Sequence, residues 1–150
     1  MQSLSEILLG GPNPQAVRED CVELIENFIA GRSGLKGMAY RTGMAMLTRA
    51  RPGILQRATA KLMPQFIEAL DPLFQEYQNQ PAGSFSAYLD KNSVRAADAL
   101  VSVADRMAQQ GSEMARKTYG KFRGGAEDEM QTLVTGLGRV ISKHLPGEVA

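Results

Sequence analysis

The stretch AEDEMQTLVTGLGRVISKH, residues 126–144, decides the fold class. Ala126, Met130, Leu133, Leu137, Val140 and His144 recur at spacings of three and four, close to a heptad, and Val134 and Ile141 widen the stripe. Glu127, Asp128 and Glu129 fall in the first turn, with Lys143 and His144 in the last. Both placements oppose the helix dipole, contributing roughly 0.3–1 kcal/mol per charge at an exposed end. A strand would need alternation with a period of two, and no strand-like run of any length competes.

The same period continues toward the N-terminus. Gly124-Gly125 breaks the chain. Before it, Asn92 or Ser93 opens a helix that faces inward with Ala97, Leu100, Val101, Ala104, Met107 and Ala108. Gly111 ends that helix, or it runs on through Met114, Ala115, Thr118 and Phe122. Ser84 caps a short helix holding Phe85, Tyr88 and Leu89, and QNQPAG (78–83) reads as a loop. Pro52 disfavours a helical Arg51, which sets a boundary. Ile54, Leu55, Ala58, Leu62 and Met63 form the next apolar stripe, and Pro64 kinks or restarts the chain. Asp71-Pro72 reads as a cap followed by proline, opening a further turn or two with Leu73, Phe74 and Tyr77. Short helices wrapping a core follow from these breaks.

Residues 33–50 predict a helix with Leu35, Met38, Met46 and Leu47 as its bulky apolar residues. Gly34, Gly37 and Gly43 weaken it by up to about 1 kcal/mol each against Ala. Tertiary packing must offset that, and close approach of another backbone is the usual benefit. Asn13-Pro14 starts an earlier helix that buries Val17, Cys21, Leu24, Ile25, Phe28 and Ile29 and faces outward with Glu19, Asp20, Glu23 and Glu26. Residues 1–12 form a short leading segment, helical over Ser3 to Leu9, and 146–150 a frayed tail. The expected architecture is all-α: one domain over 1–150, a helical bundle or orthogonal array of about six to eight helices, several of them short and proline-punctuated.

Composition agrees with this reading. The chain has 150 residues, 43% hydrophobic and 22% charged, enough for one core without a disulfide or metal staple. Eight Met residues point to a core filled by adaptable side chains. One cysteine allows no internal disulfide, and with no secretory pattern the expected compartment is the cytoplasm. No run approaches the length of a membrane span. A net charge of +1 excludes a strong global field for nucleic acid or membrane, though not a local patch.

The segments RSGLKG (32–37), LMPQFIEALDPLF (62–74) and ARKTYGKFR (115–123) resemble, in order and spacing, a family of small bacterial proteins catalogued as a domain of unknown function. The resemblance runs from about Val17 to His144, and its proline-punctuated middle is its most specific part. It implies a helical, intracellular protein without an assigned activity and carries over no catalytic or binding residue.

The residues themselves point to no catalytic centre and no cofactor. His144 and Cys21 both lie on apolar stripes. The plain reading is a buried thiol and a helix-terminal His bonded to a backbone carbonyl. One His and one Cys give no metal-ligand spacing, and the Glu-x-x-His pairs of a carboxylate di-metal bundle are missing. GRSGLKG (31–37) lacks both the spacing of a phosphate loop and a preceding strand, although a Ser-Gly turn between Arg32 and Lys36 is a generic anion site.

The non-random feature is charge. No acidic residue lies between Glu26 and Glu68, while Arg32, Lys36, Arg41, Arg49, Arg51, Arg57 and Lys61 do. A second cluster, Arg116, Lys117, Lys121 and Arg123, includes Tyr119 and Phe122. These residues form a candidate surface for an anion, nucleic acid or an acidic protein. The alternative is a solvated face paired with the acidic first long helix of the same or a neighbouring subunit. Three functions follow: a non-enzymatic interaction or structural protein that self-associates, an anion- or nucleic-acid-binding module using 32–61, and a carrier of an apolar ligand in a Met-lined cavity.

Overall fold

A computed structural model describes residues 3–146, with only the backbone of Phe122. The expected tail beyond 146 and the first two residues lie outside the described residues. Among those described, the chain forms helices and no strand. These are α1 (Leu4–Leu8), α2 (Pro14–Gly31), α3 (Gly34–Ala50), α4 (Ile54–Asn79), α5 (Phe85–Lys91), α6 (Ser93–Gln110), α7 (Glu113–Arg123) and α8 (Ala126–Lys143). The all-α reading holds.

Most boundaries follow from local chemistry. The Asn13 side chain accepts from Ala16 N–H with Pro14 in the first turn, and Ser84 and Ser112 cap α5 and α7 in the same way. Gly111 ends α6, so the sequence does not run on into α7 as one helix. Gly125 adopts φ +84° as the residue before α8, a left-handed conformation that a side chain disfavours.

Two proline breaks do not occur. Pro64 and Pro72 lie inside α4, a single helix of 26 residues, so the restart expected at 71 is corrected, and of the kink or restart expected at Pro64 the restart does not occur. Each proline removes one hydrogen bond at a cost of about 3 kcal/mol. Against that, Met63, Ile67, Leu70, Leu73, Phe74 and Tyr77 keep one buried stripe on one axis. Fully burying side chains of this size contributes about 1.5–3 kcal/mol each. Glu68, whose carbonyl loses its partner to Pro72, is an exposed residue. Asp71 is therefore no cap of its own helix. Its Oδ1 accepts instead from Leu4 N–H at 2.8 Å, capping α1 from across the core.

α8 packs against α6 and α5, α4 against α6 and α1, and α2 bridges α4 and α8. The buried cluster draws on α1, α2, α4, α5, α6 and α8, with Leu4 and Leu8 of the leading segment fully inside. Phe74, Tyr77, Phe85 and Tyr88 interlock at the α4–α5 corner, where Tyr77 Oη donates to Gly83 O at 2.7 Å. On α8 the deepest residues are Val134, Gly138, Ile141 and Ser142, so the core stripe is rotated from the heptad toward its widening residues. Gly138 lets Ser86 approach, and Ser142 Oγ accepts from Ser86 N–H at 3.0 Å.

The core is not filled by methionine. Among the described residues Met63 is the one buried Met, while Met38, Met46 and Met114 are more than half exposed. Aliphatic and aromatic side chains with few rotamers do the packing, and much of the methionine lies on α3 and α7.

Candidate functional site

α3 and α7 contribute nothing to the buried cluster. Within α3 only Gly37 is buried. A Cβ on Gly37 would collide with the Arg32 backbone carbonyl, so the close approach expected of the α3 glycines is made here, to the preceding turn. A Cβ on Gly43 would meet open space. The packing that should offset these glycines is therefore thin. Leu35 is 86% exposed, Met46 65%, Met38 58% and Leu47 50%. At 100° per residue, Leu35, Met38, Ala39, Thr42, Ala45 and Met46 share one outward face, and all are exposed. Arg49 is the charge on that face. The result is a helix face that is largely apolar toward solvent and free of acids.

The basic residues of 32–61 do not converge. α3 is about 25 Å long at 1.5 Å per residue, which separates Arg32 and Lys36 from Arg49, Arg51 and Arg57. At the near end Arg32 Nη2 lies 2.5 Å and Lys36 Nζ 3.4 Å from Glu129 Oε1 in the first turns of α8. Arg32 also stacks over the Phe28 ring, 5.1 Å from its centre. Arg41 donates to the Arg32 carbonyl and Arg57, in α4, to the Pro52 carbonyl, so each ties its own helix to the turn before it. Arg49, Arg51 and Lys61 are exposed and in no ion pair among the described residues.

In the second cluster Arg123 meets Asp105 Oδ1 at 2.8 Å and Glu127 Oε1 at 2.9 Å, holding α7 to α6 and α8. Tyr119 Oη donates to the same Asp105 oxygen at 2.7 Å. That bond, with Arg123, holds the Asp105 carboxyl below its usual value, while burial and the carboxylate push the Tyr119 phenol up to about 12. Arg116 donates to the Gly111 carbonyl, Lys117 faces Glu113 at 3.5 Å, and Lys121 is exposed. The Phe122 side chain lies outside the described residues. Within the chain the basic clusters thus pair with α6, α7 and α8, not with acidic α2.

Asp20 is the acid of α2 that finds cations, taking Lys143 Nζ at 3.2 Å and His144 Nε2 at 2.7 Å. His144 therefore pairs with a carboxylate and not with the expected backbone carbonyl. The hydrogen bond from His144, supported by Lys143, lowers the Asp20 pKa. Cys21 is buried one residue on, its thiol pushed up to about 11 by burial and then by the neighbouring Asp20 charge. A protonated, enclosed thiol is a poor nucleophile. Among the described residues no three of His, Cys, Asp and Glu gather as a metal site requires, and no helix is long and apolar enough to cross a membrane.

A cavity of about 60 Å³ lies between α2, α4 and α8. Cys21, Leu24, Ile25, Thr59, Leu62, Met63, Phe66, Ile67, Leu133 and Leu137 line it. It contains one Met, so "Met-lined" is corrected to "aliphatic". Leu24, Ile25, Leu62, Phe66 and Leu133 are half-buried and form its rim. Thr59 is 3% exposed, and its hydroxyl has no hydrogen-bond partner. A buried hydroxyl left unpaired costs about 1–3 kcal/mol. Sequence reasoning missed this residue, because a threonine on a helix carries no signal of where it faces.

A family model spans residues 4–145, nearly the whole of this helical array, and its description is a family of unknown function, DUF6918. The chain belongs to that family. As a DUF6918 member it takes in every helix described above, α1 included, so the leading segment is part of the family's fold and not an appendage. No curated protein and no solved structure matches the chain.

Proposed function

We propose that this chain is a non-enzymatic interaction protein that acts in the cytoplasm as one folded domain and docks through α3 onto a second copy of itself. One observation carries the reading: a helix of 17 residues turns Leu35, Met38 and Met46 to solvent on one face. Monomeric proteins rarely keep contiguous apolar patches exposed, and those that occur mark interaction sites. Its partner has to offer apolar surface, since that is what this face exposes. The α3 of a second copy offers it, and α3 meeting α3 makes a closed two-fold contact. The buried thiol of Cys21 fits a reducing compartment.

The nucleic-acid reading has less support. Arg32, Lys36, Lys117 and Arg123 already face carboxylates, and the rest are spread over α3, α4 and α7. Sedimentation velocity distinguishes the two readings: self-association that weakens in Leu35→Ser/Met46→Ser supports docking, and a monomer at every concentration overturns it.

A further inference from the structure

We infer that two copies of this chain pair α3 against α3 antiparallel, on a two-fold axis at Thr42, with Met38 of each copy against Met46 of the other. This arrangement rests on the docking reading above and adds to it the direction, the register and the residues that meet. At 100° per residue Thr42, which is exposed, points away from Gly37, Tyr40 and Met44, the residues that α3 turns toward the rest of the molecule. Leu35, Met38, Ala39, Ala45, Met46 and Arg49 lie within about 60° of the Thr42 direction, and all are exposed. Their spacing is symmetric about it. Ala39 and Ala45 stand three residues either side of Thr42, Met38 and Met46 four, and Leu35 and Arg49 seven.

Reversing a second α3 about Thr42 therefore sets methionine against methionine and alanine against alanine. The members of each pair lean to opposite sides of the midline, so they interlock and do not collide. Thr42 is small enough to meet its own copy within the roughly 8–10 Å that separates packed helix axes. Moving the axis one turn, to Met38 or to Met46, carries the other methionine past the end of the opposing α3.

Charge selects the same arrangement. α3 carries Lys36, Arg41 and Arg49 and no acid. A parallel pair in register puts Arg49 of the docking face against Arg49, and like charges held together repel. The antiparallel register puts Lys36 opposite Thr48, Arg41 opposite Gly43 and Arg49 opposite Leu35, each an uncharged residue. Arg41 is also tied back to the Arg32 carbonyl of its own chain. The aliphatic stem of Arg49 can then cover Leu35, which is otherwise 86% exposed, with the guanidinium left in water.

Disulfide trapping tests the register, with the native Cys21 buried and therefore silent. Thr42→Cys places two thiols opposite each other and is expected to give a covalent dimer on a non-reducing gel after mild oxidation. Leu35→Cys sets its two copies about 21 Å apart along the helices and is expected to stay uncrosslinked, whereas a parallel pair would join it. Sedimentation velocity of both reduced variants checks that they still associate. Isotope-filtered NMR of mixed labelled and unlabelled wild type supplies a second measurement. Contacts between the Met38 and Met46 methyl groups are expected only across the dimer, since within one helix the two lie about 12 Å apart. A dimer lacking that contact, a reduced Thr42→Cys dimer that does not cross-link, or a Leu35→Cys that cross-links as readily overturns the register and leaves docking through α3 standing. A wild-type monomer at every concentration removes both.

Discussion

Asp71, in the middle of α4, holds the N-terminus of α1: its Oδ1 accepts from Leu4 N–H at 2.8 Å. The first amides of a helix have no partner within it, and for α1 one is supplied from 67 residues away. Ser3 supplies another through a capping box with Glu6. So short a helix does not persist alone and needs both its caps and the burial of Leu4 and Leu8.

Asp71→Ala is therefore expected to lower stability by about 1–2 kcal/mol in urea titration and to speed amide exchange at Leu4. The same loss with no change at Leu4 would place the effect elsewhere in α4.

The glycines of α3 separate by what surrounds them. Gly43→Ala adds a methyl group to open space on a helix and is expected to stabilise by about 0.5–1 kcal/mol. Gly37→Ala drives a methyl group into the Arg32 carbonyl and is expected to destabilise. Equal effects at the two positions would mean that α3 does not sit against that turn.

Asp20 makes stability depend on acid. Its folded pKa is lowered from the ordinary 3.8, so the bonds to His144 and Lys143 stabilise the charged form. That contribution is present above 3.8 and is lost as pH falls through the lowered value. The stability gap between wild type and Asp20→Asn is expected to be full above about pH 5 and to close as pH falls below 3.8 through the lowered pKa. Paired denaturant titrations across that range check it, and a gap independent of pH would refute it.

Cys21 is expected to resist thiol reagents in the native protein. With its pKa near 11 and its side chain buried, the thiolate is scarce at neutral pH. Ellman's reagent should react slowly in buffer and rapidly in urea. Comparable rates would mean that the α2–α4–α8 contact opens readily.

The sequence made the helices legible because caps and stops are local. Asn13, Ser84, Gly111 and Gly125 mark ends that depend on a few neighbouring residues. Pro64 and Pro72 misled because whether a proline breaks a helix depends on the stripe it interrupts. Here Met63, Ile67, Leu70 and Leu73 pack continuously, a tertiary fact. The apolar residues of α3 misled in the other direction. Helical spacing says that Leu35, Met38 and Met46 share a face, but not whether anything covers it. Charge counting found Arg32 and Lys36 but not Glu129, which answers Arg32 from 97 residues away. Thr59 was invisible for the same reason.

Sedimentation velocity from low to high micromolar protein tests the α3 account most directly. A reversible dimer is expected. It should disappear in Leu35→Ser/Met46→Ser, with circular dichroism unchanged. A wild-type monomer throughout that range, or a dimer that the double variant leaves intact, would contradict it.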